Sequence, residues 1–90
     1  MDDIELGRRQ AKGAQAFELL NSDLLRETFG YLEREYLTAW RNSAVKDERG
    51  RENLFMAVRI LDHVRAHLHK LVADGKIASK DLANIKYLKR

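Results

Sequence analysis

The stretch from Asp47 to Gly75, DERGRENLFMAVRILDHVRAHLHKLVADG, decides the fold. Apolar residues recur through it at steps of three and four, which is the spacing of one helix face. This main stripe consists of Leu54, Ala57, Val58, Leu61, Val64, Leu68, Leu71 and Val72. Asp47 is a favourable N-cap, and a glycine such as Gly75 commonly ends a helix. The sequence therefore predicts a long helix over 48–74.

A second long helix is predicted over 22–42, after the capping cluster Asn21-Ser22-Asp23. Its apolar face is formed by Leu25, Phe29, Leu32, Tyr36, Ala39 and Trp40. The loop that follows is short, and two long amphipathic helices joined by a short loop pack antiparallel. We therefore expect a helical hairpin, 22–42 against 48–74. Tryptophan is enriched at interface hot spots, but a single Trp on the apolar stripe of a hairpin is more often core, so we favour the core for Trp40.

Two shorter helices complete the predicted architecture. One covers 3–20, where Asp2 or Asp3 can act as the cap, and the other covers 79–88, where Ser79 can do so. A chain of 90 residues without proline makes one domain at most and has nothing that forbids long helices. The prediction is a single all-α domain over residues 1–90.

A weaker apolar stripe lies beside the main one on the helix predicted over 48–74. Together the two stripes cover more than half of the helix circumference, whereas one partner helix covers a face about 100° wide. The helices at the chain ends, a second copy or a different protein could cover the rest. Tyr31 lies to the side of the apolar face of 22–42. The residues predicted to form a protein interface are Met56, Ile60, His63, His67 and Tyr31.

Catalysis and metal binding are not expected. His63 and His67 are four residues apart, which can suit a metal, but no Glu follows the first His and the chain has no cysteine. No nucleophile–base order and no phosphate-binding loop is present. The N-terminus is acidic rather than a signal peptide, and no run approaches the ~20 apolar residues of a membrane span. We expect no enzyme activity, no cofactor, no small-molecule substrate and no membrane partner.

Positive charge is concentrated at the C-terminal end. The formal net charge is +3, and residues 70–90 contain six Lys or Arg against two Asp. The simpler explanation is a solvated helix end, where cations are favourable. The alternative is a nucleic-acid contact in which basic side chains meet phosphates without reading base edges. The residues predicted for that alternative are Lys76, Lys80, Lys86, Lys89 and Arg90.

A diffuse motif spans roughly residues 20–85. It consists of Trp40-Arg41-Asn42-Ser43, Asp47, Arg51-Glu52, Leu54, Leu61, Val64-Arg65, Leu68 and Gly75-Lys76. The pattern resembles small all-helical phage and prophage proteins encoded among head-assembly and DNA-packaging genes. The resemblance implies a protein of the virion or of the host cytoplasm with one of three roles. These are a self-associating virion or packaging component, a nucleic-acid-binding accessory protein, or a small inhibitor of a host protein.

Overall fold

The computed structural model describes residues 2–88, and within that range the chain forms three α-helices and no β-strand. Helix α1 spans Asp3–Leu20, α2 spans Asp23–Arg41 and α3 spans Glu48–Leu88. The predicted all-α class is confirmed. The helices contribute to two compact units, which are described separately. The terminal unit comprises residues 2–21 and 67–88, and the central unit comprises residues 22–66.

Each helix begins after a residue whose side chain caps it. The caps are Asp2, Ser22 and Asp47, and each accepts a hydrogen bond from the backbone N–H three residues later, at 2.8, 3.3 and 3.0 Å respectively. Such a bond satisfies one of the N–H groups that a helix start leaves without an intrahelical partner. The capping signals in the sequence therefore located all three helix starts.

The helix end predicted at Gly75 is wrong, and so is the separate helix predicted over 79–88. Helix α3 continues without a break to Leu88. A glycine ends a helix by adopting a left-handed conformation, but no glycine within residues 2–88 has a positive φ. Ser79, the predicted cap, has another role, because its hydroxyl accepts a hydrogen bond from the Gln10 side-chain amide at 3.1 Å.

In the terminal unit, α1 packs against α3 through a contact between two glycines. A Cβ added to Gly13 would lie 2.8 Å from the Cα of Gly75 and 2.9 Å from the backbone oxygen of Leu71. Small residues allow helix backbones to approach this closely, and here both glycines are buried. The other buried residues of this unit are Leu6, Ala16 and Ala78. Gly75 is thus a packing residue rather than a stop.

In the central unit, α2 contacts the first part of α3 through two arginines. Arg65 donates to the Glu33 carboxylate at 3.1 Å and lies over the Phe29 ring at 5.2 Å. Arg51 lies over the Trp40 ring at 5.0 Å. Phe29 lies nearer the start of α2 than Trp40, but its partner Arg65 lies further along α3 than Arg51, the partner of Trp40. The two helices therefore run in opposite directions within this unit.

The central unit buries very little apolar surface. Helix α2 has no buried residue, and Leu61 is the only buried residue among 22–66. The residues predicted to hold the helices together, Leu25, Phe29, Leu32 and Leu54, are all half-buried. Leu68, predicted for the same core, is half-buried within the terminal unit. The contact between α2 and α3 therefore leaves large side chains uncovered on its flanks.

Candidate protein-interaction surface

An open apolar groove of about 200 Å³ lies between α2 and α3 in the central unit. Its walls are formed by Tyr36, Leu37, Trp40, Leu54, Phe55 and Val58, and we call it the tryptophan groove. The helical repeat explains this composition. On α2, Tyr36 and Trp40 are four residues apart, and on α3 Leu54 and Val58 are also four apart, so each pair shares a face. The lining of the groove is apolar apart from the hydroxyl of Tyr36 and the indole nitrogen of Trp40.

The side chains at the rim of the groove are substantially exposed. Trp40 is 43% exposed, Leu37 is 42% exposed and Phe55 is 62% exposed. The prediction that Trp40 belongs to a hairpin core is therefore wrong, because 43% of the residue is exposed to solvent. Phe55 was not predicted to be functional. Its sequence signal was an aromatic residue next to the main stripe rather than within it.

Arg51 lies over the ring of Trp40, one of the residues that line the tryptophan groove. Its guanidinium lies 5.0 Å from the centre of the Trp40 ring, within the range of a cation–π interaction, and the residue is half-buried. Trp and Arg are also among the residue types enriched at interface hot spots.

The predicted interface residues of the central unit are all exposed. Met56 is 54% exposed and Ile60 is 59% exposed, and Val64, which was assigned to the main stripe, is 43% exposed. These three are successively four residues apart and so form one row on α3, which we call the outer stripe. His63 is exposed beside it. Tyr31 is 56% exposed and lies in an open depression on α2. Their exposure permits a contact, and their role stays a prediction.

His67 is separated from the other predicted interface residues, because it belongs to the terminal unit. There it is exposed and contributes to an open groove of about 270 Å³ with residues of α1 such as Lys12, Gln15 and Leu19. This groove is more polar than the tryptophan groove. Within residues 2–88, no group of three His, Cys, Asp or Glu side chains is placed to hold a metal ion.

The basic residues of the nucleic-acid alternative do not form a single row. Lys76, Lys80 and Lys86 are exposed on α3. Lys76 and Lys80 are four apart and share a face, whereas Lys86 lies about 120° around the helix from Lys80 at 100° per residue. The other two predicted residues, Lys89 and Arg90, lie outside the described part of the chain.

Charge is divided unequally between the two units. Residues 22–66 contain eight Lys or Arg and eight Asp or Glu, so the central unit has a formal net charge of zero. The remaining residues contain nine basic and six acidic side chains, which accounts for the whole formal charge of +3. The central unit thus exposes its apolar side chains without a net charge, and such surfaces associate more readily than strongly charged ones.

Comparison with known proteins adds no relative. No protein-family model, no curated protein and no solved structure matches this chain. Among the described helices, none combines the length and apolar character needed to cross a lipid bilayer.

Proposed function

We propose that this protein is a non-catalytic assembly component whose central unit associates with protein through exposed helix faces, and that its first partner is a second copy of itself. One observation carries the proposal. The central unit buries one apolar side chain, Leu61, and exposes nine large ones. These are Leu24, Tyr31, Leu37, Trp40, Val45, Phe55, Met56, Ile60 and Val64.

The spacing of the exposed residues supports the same proposal, because Met56, Ile60 and Val64 follow one another at four-residue steps. Scattered exposed hydrophobic residues are common in monomers, but contiguous apolar rows on both flanks of a helix pair are typical of interaction sites.

We further propose that α2 and the first half of α3 act as an antiparallel hairpin that carries both surfaces. The tryptophan groove lies on one flank, and the residues of the outer stripe lie about 100–180° around α3 from Phe55. One flank can bind a second copy while the other docks on a larger assembly. Two usable flanks are what a building block of an assembly needs.

The setting of this assembly is proposed from the sequence alone. The motif resembling small phage and prophage proteins, from Trp40 to Lys76, favours a virion or DNA-packaging complex, in the host cytoplasm or the virion. No catalytic or cofactor-binding residue enters this proposal. The proposed association proceeds by burial of apolar helix faces, and no bond is made or broken.

The proposal is tested by the molar mass of the purified protein, measured by light scattering over a wide range of concentration. We expect the mass to rise from that of one chain towards that of two or more, because the central unit gains burial on association. A matched variant, Phe55→Asp together with Ile60→Asp, should remain a single chain with unchanged helicity, since both positions are more than half exposed. A wild-type protein that stays one chain at every concentration would favour the host-inhibitor role instead.

A second candidate function is non-specific nucleic-acid binding by the terminal unit. The observation in its favour is that all of the net positive charge lies outside the central unit, with Lys76 and Lys80 on one face of α3. Phosphate contacts of this kind weaken steeply as salt rises. Replacing both lysines by alanine should lower DNA affinity at low salt and flatten its salt dependence. Absence of DNA retardation at low salt by the wild-type protein would remove this candidate.

A further inference from the structure

We infer that the tryptophan groove is a two-fold self-association site, occupied by the same groove of a second copy, with Glu52 of each chain facing Arg59 of the other. This inference rests on the proposed function and specifies its partner and its geometry. It assigns the tryptophan groove, rather than the outer stripe, to self-association. Three properties of the groove support it: its area, its charge and its register.

The exposed apolar area at the groove forms the centre of the proposed interface. With side-chain areas of roughly 150–250 Å² for aromatic residues, the exposed fractions of Trp40 and Phe55 leave about 100 Å² on each. Leu37, which is 42% exposed, adds to this area. A standard stable interface covers about 800 Å² per partner, so the interface around this centre is a small one. A second copy offers this area from the same residues.

Charge placement favours a second copy over a partner of opposite sign. The central unit has no net charge, so two copies do not repel each other. Glu52 and Arg59 are exposed and form no ion pair within residues 2–88. They stand three residues before and four residues after Phe55, and this spacing puts all three on one side of α3. Opposite charges on either side of an apolar residue pair with those of the second copy when two such helices meet antiparallel.

The register on α2 agrees with that on α3. When two copies of a helix pack antiparallel about a two-fold axis, a residue just before the axis in one copy meets the residue equally far beyond the axis in the other copy. Leu37 and Trp40 flank such a point on α2. Because Trp40 lies beside Arg51 and the helices run in opposite directions, this point lies within about one turn of Phe55 on α3. A single axis therefore pairs Phe55 with Phe55 of the other copy, Trp40 with Leu37, and Glu52 with Arg59.

The test is a charge-reversal experiment with Glu52→Arg and Arg59→Glu, measured by sedimentation at low salt. Each single variant places like charges opposite each other twice in a dimer. Exposed pairs contribute modestly, so we expect self-association to weaken about 10- to 30-fold in each single variant. The double variant should recover wild-type association. A one-to-one mixture of the two single variants should form a heterodimer, because one chain then carries positive charge at both positions and the other carries negative charge at both.

Glu35→Arg is the matched control, since it makes the same charge change on an exposed position of α2 away from the groove. It should leave association unchanged, and circular dichroism should show equal helicity for all variants. Single variants that associate as strongly as the wild type, or a mixture that forms no heterodimer, would overturn the two-fold geometry. In that case an associating wild type would leave the proposed function standing, whereas a wild type that never associates would remove both.

Phe55→Ser against Ile60→Ser separates the two flanks of α3. Both residues are similarly exposed, at 62% and 59%, so neither change should unfold the chain. We expect the Phe55 variant to lose self-association by at least tenfold, and the Ile60 variant to keep it. The reverse result would assign the second copy to the outer stripe and contradict the inference.

Discussion

Replacing Gly13 by alanine should destabilise the protein, although alanine is the better helix former. A Cβ at this position would lie 2.8 Å from the Cα of Gly75 and 2.9 Å from the backbone oxygen of Leu71. Both contacts are with backbone, so no flexible side chain can turn away. Helices α1 and α3 must then move apart, and the buried contacts of the terminal unit are loosened along the crossing.

The magnitude follows from two opposing effects. Alanine in place of a helical glycine stabilises by up to about 1 kcal/mol. Overpacking a tight contact costs about 1–3 kcal/mol, and a contact between two backbones belongs at the upper end of that range. The net destabilisation at Gly13 should be about 1–2 kcal/mol. Gly7 is the matched control on the same helix, because nothing lies within 4 Å of a Cβ there. Gly7→Ala should stabilise by about 0.5–1 kcal/mol.

Thermal unfolding followed by circular dichroism measures the difference, with all samples at one protein concentration because association raises apparent stability. A gap of about 1.5–3 kcal/mol between the two variants corresponds to roughly 6–24 °C in Tm for a domain of this size. If Gly13→Ala stabilised the chain as much as Gly7→Ala, the close crossing at Gly75 would be refuted.

Two further stability changes follow from the central unit. Arg65→Met should lower stability by about 1 kcal/mol, because it removes a half-buried ion pair with Glu33 and an aromatic contact, and the loss should shrink at high salt. Arg26→Met breaks the exposed pair with Asp23 and should change the free energy of unfolding, measured by chemical denaturation, by less than about 0.5 kcal/mol. If the Arg26 and Arg65 variants had equal effects, the role given to Arg65 would be contradicted. Asp47→Ala removes the cap of α3 and should lower the free energy of unfolding by about 1 kcal/mol in the same assay. In amide hydrogen exchange, protection should be lost in the first turn of α3 alone. Protection lost throughout α3 would argue against a local cap.

Local signals in the sequence located most of the fold. The all-α class and the three helix starts followed from apolar periodicity and from capping side chains, which act over a few residues. Gly75 could not be interpreted this way. A glycine just after an apolar run suits a helix end and a close helix crossing equally well, and the second role depends on Gly13, more than sixty residues earlier in the chain.

The exposed surface was only partly predictable, because it too depends on contacts between residues far apart in the sequence. Periodicity predicted that α3 is too apolar for one partner helix, and it assigned Met56 and Ile60 to a protein interface; both are exposed, and that role stays a prediction. It could not show which flank of α2 and α3 stays open, since that depends on how the two helices are rotated against each other. Trp40 was therefore predicted as core, and Phe55 received no role.

The most direct test of association through the central unit uses Trp40, which is the only tryptophan in the chain. Its emission and its quenching by acrylamide should be recorded during serial dilution. A second copy on the groove would shield the indole, so dilution should shift the emission to longer wavelength and raise quenching. Both changes should have their midpoint at the protein concentration at which the molar mass falls to that of one chain. Emission and quenching that stay constant while the mass halves would show that the groove is not the surface buried on association.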